Sequence, residues 1–147
     1  MVTNSGYAFE FNESSAAQIS IRNLNFPIER NDASIPSKVL KFANVQYGRI
    51  TGCDITLTSA SNLTNTCIWL AGCVHNFTVD GNILHNLTES NPDGGGCFWV
   101  SGINGYSVSP DSICRNITCT NNDLVQNSGD DAIALFGRQG IMDVSRS

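Results

Sequence analysis

Apolar and polar residues alternate in short stretches along this chain, and one stretch recurs. Cys67-Ile68-Trp69-Leu70-Ala71-Gly72 returns thirty residues later as Cys97-Phe98-Trp99-Val100-Ser101-Gly102. Ala132-Ile133-Ala134-Leu135-Phe136-Gly137 follows in the same frame. Val39-Leu40-Lys41-Phe42-Ala43-Asn44 and Ala8-Phe9-Glu10-Phe11-Asn12 precede in it. The five copies are spaced by 31, 28, 30 and 35 residues. Strand-type alternation at such a period marks a solenoid, because no single unit can bury its apolar face alone.

A second repeat follows each copy of the first. Asn76-Phe77-Thr78-Val79-Asp80-Gly81-Asn82-Ile83-Leu84 aligns position for position with Asn116-Ile117-Thr118-Cys119-Thr120-Asn121-Asn122-Asp123-Leu124. Ile50 to Ile55 fits Val79 to Leu84, Ile19 to Ile21 fits Phe77 to Val79, and Phe26 takes the Leu84 position. Each unit reads strand, turn, strand, loop, with β-branched and aromatic residues in the strands and Gly, Asn and Pro between them. No window has the apolar spacing of an amphipathic helix. The expected fold is all-β: a right-handed single-stranded parallel β-helix of about five rungs, its hand following from parallel crossovers. Rungs about 4.8 Å apart make a column on the order of 24 Å tall.

Residues 1–147 read as a single domain of this kind. Strand pattern begins and ends abruptly, with no capping helix, which points to a segment of a longer solenoid or to ends covered by partners. The alternative is that the first and last rungs cap themselves. Residues 27–38, 58–66 and 87–96 are expected as polar loops between rungs. In the fourth rung the insertion, Asn104 to Arg115, falls between its two strands, and the loop into the fifth shrinks to Asn127-Ser128-Gly129-Asp130. A short loop beside long ones leaves a notch, and the notch holds Asp130-Asp131.

Composition narrows the partners. Charged residues make up 14% of the chain, low for an ordinary surface, and Asn, Ser and Thr take their place. A net charge of −5 without a basic cluster excludes nucleic acid. No apolar run reaches the ~18 residues of a membrane span. Met1-Val2-Thr3-Asn4 opens no signal peptide. Either the chain is a piece cut from a longer protein, or the expected location, outside the cell or on a virion surface, is reached by another route. Six cysteines show no CxxC pattern. They are read either as free and buried or as forming one or two bridges, Cys67–Cys97 or Cys114–Cys119. Of five sequons, Asn76 and Asn116 share one repeat position, where Asn suits the backbone and a structural role is expected.

Alternation makes the first sheet's outer face readable. Ile68 and Leu70, Phe98 and Val100, and Ile133 and Leu135 point inward. Trp69 and Trp99 then point outward on adjacent rungs, with Lys41 below and Ala134 above. Stacked exposed indoles call for a cover. A sugar's C–H face supplies one; a loop or another subunit supplies the alternative. Asp130 and Asp131 precede the fifth copy, where the rungs below carry Asn65-Thr66 and Gly95-Gly96. Adjacent carboxylates repel, which raises one pKa and suits acid–base work. Glycosidic hydrolysis needs one protonated and one ionised carboxyl, and Asp93 in the preceding loop could supply a third. Ca²⁺ binding is another use of such a cluster, and a plain Asx turn between rungs a third. No other metal or cofactor is implied. His75 and His85 read as surface or turn residues, and Gly94-Gly95-Gly96 as a flexible loop.

This rung pattern, over about residues 6–145, resembles right-handed parallel β-helix proteins of the pectin-lyase-like group. Asn91-Pro92-Asp93-Gly94, followed by Ser128-Gly129-Asp130-Asp131-Ala132-Ile133-Ala134-Leu135, is similar to the polygalacturonase family's Asn-Thr-Asp-Gly and later Gly-Asp-Asp-Cys-Ile motifs. The resemblance implies that Asp130 and Asp131, with Asp93, are the acid and the water-activating carboxylates of an inverting hydrolase. Pro92 departs from the motif. Asp93 lies three residues before the position that aligns with Asp131. The family's Gly-His-Gly and Arg-Ile-Lys motifs have no counterpart. Viral tailspikes and appendages, often trimers, resemble the chain equally. Two readings therefore stand. One is a polysaccharide-engaging protein with Trp69, Trp99 and Lys41 on substrate, hydrolase and lyase being indistinguishable at this level. The other is a non-catalytic β-helix segment of a tailspike or cell-surface appendage, in which a homotrimer covers the tryptophans.

Overall fold

The structure, a computed structural model, describes residues 7–12, 18–30, 38–59, 65–87, 96–101, 114–127 and 132–136. Among them every regular element is a strand. The strands are β1 (Tyr7–Asn12), β2 (Gln18–Arg22), β3 (Asn25–Arg30), β4 (Lys38–Ala43), β5 (Tyr47–Thr51), β6 (Asp54–Ser59), β7 (Thr66–Ala71), β8 (His75–Asp80), β9 (Ile83–Asn86), β10 (Gly96–Ser101), β11 (Arg115–Thr120), β12 (Asp123–Gln126) and β13 (Ile133–Phe136). They form three parallel sheets ordered β1-β4-β7-β10-β13, β2-β5-β8-β11 and β3-β6-β9-β12. Every third strand pairs with its equivalent one turn on, which is a parallel β-helix. The described coil comprises four complete rungs and the first strand of a fifth.

The repeat frame is met residue by residue. Leu40 pairs with Phe9 and Ile68, Ile68 with Phe98, and Phe98 with Ile133. Ile50 pairs with Ile21 and Val79, and Ile55 with Phe26 and Leu84. Such register follows from side-chain periodicity: a slip of one residue would turn every apolar side chain to solvent.

What the alternation presents as one second strand is two. Single residues in the left-handed region split it: Asn23 (φ 54°), Gly52 (62°), Gly81 (62°) and Asn121 (52°). Gly and Asn occupy that region at least cost, so the chain bends there without a long turn. Asn82 secures the corner. Its amide nitrogen donates to Ile50 O (3.0 Å) and Asn122 Oδ1 (2.9 Å), and its Oδ1 accepts from Cys53 N (2.9 Å).

The third sheet also claims residues expected in loops. Pro27 to Arg30 belong to β3 and pair with Thr56 to Ser59. A proline lacks the donor that a central strand needs, but β3 is an edge strand of its sheet and tolerates it. Gly96, expected in a loop, opens β10 opposite Thr66.

Side chains from all three sheets fill the interior. Phe42 stacks on Phe11 (centroids 4.9 Å, planes 7° apart) and tilts against Phe77 (4.8 Å, 59°). Leu40, Ile50, Ile55, Leu57, Ile68, Leu70, Val79 and Leu84 have no exposed surface. On the edge strands of the first sheet the same inward positions are open: Phe9 is 49% exposed and Ile133 40%.

Candidate functional site

The outer face of the first sheet carries one column of chemistry-bearing residues. Register places Glu10 beside Lys41, Lys41 beside Trp69, Trp69 beside Trp99, and Trp99 beside Ala134. This is the order expected from alternation. Trp69 is half-buried within an otherwise buried strand. Asp93, Asp130 and Asp131 lie outside the described residues, as does the Trp99 side chain. The residue after Asp131, Ala132, accepts hydrogen bonds from Cys97 N (2.9 Å) and Phe98 N (3.1 Å). It therefore flanks β10 two residues from Trp99, about 7 Å along the strand.

Lys41 is the unexpected member of this column. It points away from the core yet is 5% exposed. Its ammonium lies 2.9 Å from Glu10 Oε1 and 5.1 Å from the Trp69 ring centroid. A buried ammonium needs a counter-charge, and the indole face adds a cation–π attraction. The pair binds two rungs together and orients the indole. Glu10 has no paired spacing within its own stretch, and only the rung frame brings it to Lys41. That signal was present in the sequence, since Ala8-Phe9-Glu10 and Val39-Leu40-Lys41 share one alignment.

Other polar groups serve the coil. Asp80 Oδ1 accepts from Thr120 Oγ1 (2.8 Å) and Asn121 Nδ2 (3.0 Å). These bonds, with nearby Arg49 acting the same way, hold its carboxyl below the ordinary value. Asn76 and Asn116 both take positive φ (50° and 53°), and Asn116 Nδ2 donates to Asn76 Oδ1 (3.0 Å). The structural role expected of this position is what the side chains perform. His75 bonds Gln46 (3.1 Å) and His85 faces Asp123 (3.4 Å). Among the described residues no three His, Cys, Asp or Glu side chains converge on a point that would suit a metal ion.

All six cysteines are unbridged. The Cys114–Cys119 bridge is not formed: Cys114 Sγ lies against Leu70 O (4.0 Å) and Cys119 Sγ accepts from Asn122 Nδ2 (3.3 Å). Cys119, expected to fill the core, is partly buried and packs against it beside Ile117.

No family model, curated protein or solved structure matches this chain. The functional reading therefore rests on the residues themselves.

Proposed function

We propose that the protein engages a polysaccharide along the outer face of its first sheet. Trp69 and Trp99 stack on sugar rings, and Lys41, paired with Glu10, fixes the lower end of that surface. Asp130 and Asp131, with Asp93, are the carboxylates of a glycoside hydrolase acting beside it. The observation that carries the reading is the direct register of Trp69 with Trp99 on adjacent rungs. Two indoles one rung apart present adjacent apolar platforms, and few other ligands offer flat C–H faces in series. A second reading is that the column is a subunit contact of a non-catalytic tailspike or appendage segment, formed by a homotrimer outside the cell or on a virion.

Three measurements separate the readings. Light scattering gives the assembly state of the purified chain. Sedimentation with insoluble polysaccharides measures binding, and Trp69→Ala with Trp99→Ala should abolish it. Release of reducing ends measures turnover, which Asp130→Asn with Asp131→Asn should remove while binding survives. A trimer that binds no polysaccharide would sink the first reading.

A further inference from the structure

We propose that Cys67 and Cys97 form a redox pair inside the coil, which a hydroperoxide converts to a disulfide between adjacent rungs. Thr66 pairs with Gly96 and Ile68 with Phe98, so the two cysteines between them are direct neighbours on parallel strands. Strand spacing puts their Cα atoms about 4.8 Å apart, inside the range a disulfide spans.

Strict alternation would turn these side chains outward, toward the tryptophan face. They turn inward instead. Val39, at the equivalent position of β4, is buried in the core as well, so this position joins the inner face on three successive rungs. Both cysteines have no exposed surface and belong to the core. Their sulfurs meet in the corner between the first and third sheets. Cys67 Sγ is 3.8 Å from Ile55 O of β6, and Cys97 Sγ is 3.2 Å from Val125 O of β12 and 3.7 Å from Gln126 Oε1.

The two thiols are not equivalent. Interaction with the neighbouring Cys97 sulfur, aided by burial, pushes the Cys67 thiol up. The same interaction draws Cys97 down against the opposing effect of burial. Cys97 is thus the attacking sulfur and Cys67 the resolving one; because both are buried, the reaction waits on local opening of the coil.

Each step balances. With hydrogen peroxide, the Cys97 thiolate attacks one peroxide oxygen, the O–O bond breaks, and the departing hydroxide takes up the thiol's proton as water. Cys97 is now a sulfenic acid. The Cys67 sulfur attacks it, the S–S bond forms, the S–O bond breaks, and a second water leaves with the Cys67 proton. Two thiols have lost two electrons and the peroxide has gained them. Stacked parallel strands hold their Cβ atoms at about the rung spacing, wider than the 3.5–4.5 Å of a relaxed bridge. The bond is therefore strained and readily reduced by a dithiol.

The test uses the whole chain, treated with a small excess of hydrogen peroxide, alkylated, digested and mapped by mass spectrometry. The expected result is a loss of two hydrogens, two of the six thiols protected from alkylation, and a peptide linking Cys67 to Cys97 that dithiothreitol separates. In Cys67→Ser the reaction should stop at a sulfenic acid on Cys97 that dimedone traps. Sulfinic acid accumulating on Cys97 of the unaltered chain without a cross-link would overturn the proposal. So would a link confined to Cys73 and Cys114, or both core thiols surviving while methionines oxidise. The mapping of the unaltered chain decides the matter even where Cys67→Ser fails to fold.

Discussion

Gly48 makes room for one of the largest buried side chains of the coil, and adding one methyl there should be costly. On the inner face of the second sheet, Ile19, Gly48, Phe77 and Ile117 stack in one column. A β-carbon built on Gly48 falls 2.9 Å from Phe77 Cζ and closer still to Cε2 and Cδ2. The ring has nowhere to retreat: Phe77 is fully buried and its centroid lies 4.8 Å from that of Phe42. Overpacking of this kind costs about 1–3 kcal/mol, and overlap with three ring atoms places Gly48→Ala toward the upper end. At roughly 2–4 °C per kcal/mol for a chain of this size, the melting temperature should fall by about 5–10 °C. Phe77→Leu alone should cost about 1–2 kcal/mol, less than truncation to alanine. It also vacates the space that the added methyl needs. The double variant should therefore be at least about 1 kcal/mol more stable than the sum of the single costs predicts. Urea and thermal unfolding followed by far-ultraviolet circular dichroism on the four proteins complete the cycle. Costs that add to within about 0.5 kcal/mol would refute the steric argument, as would a Gly48→Ala protein as stable as the parent.

Glu10→Gln should destabilise the chain by about 1–3 kcal/mol by removing the counter-charge of a buried ammonium, and Lys41→Met at the same contact should cost less. Urea midpoints of the two variants give the order, and the reverse order would show that the aliphatic stem matters more than the charge. Asn82→Ala strips partners from Cys53 N and Ile50 O at a buried corner and should cost about 2–4 kcal/mol; a cost below ~1 kcal/mol would mean that water replaces the amide. The carboxyl of Asp80 is held below its unfolded value, so its contribution is present above the unfolded pKa and is lost as pH falls through the folded one. Acid unfolding curves of the parent and of Asp80→Asn should accordingly converge at low pH. A gap that persists unchanged into strong acid would contradict this assignment.

The candidate site was legible wherever it depended on register alone. The register of Lys41, Trp69 and Trp99 could be written down from alternation, because neighbouring rungs stack equivalent positions. The condition of Lys41 could not, since burial depends on what surrounds a side chain and not on which face bears it. The cysteines show the same division. Their neighbouring positions followed from the repeat, but their inward turn depends on how the chain enters the sheet, which an apolar–polar pattern does not mark.

For the fold, the sequence by itself determined the class, the period and the pairing partner of nearly every strand residue. Identical rungs must align their apolar faces, and a period of two leaves no freedom to slip. Only the tertiary structure decided that each rung has three strands. A single left-handed residue, Gly81 or Asn121, ends one strand and begins the next without interrupting the alternation around it. It also decided that Pro27 to Arg30 form a strand. A polar edge segment gains order from the hydrogen bonds its neighbour β6 offers, and that neighbour lies 29 residues away in the chain.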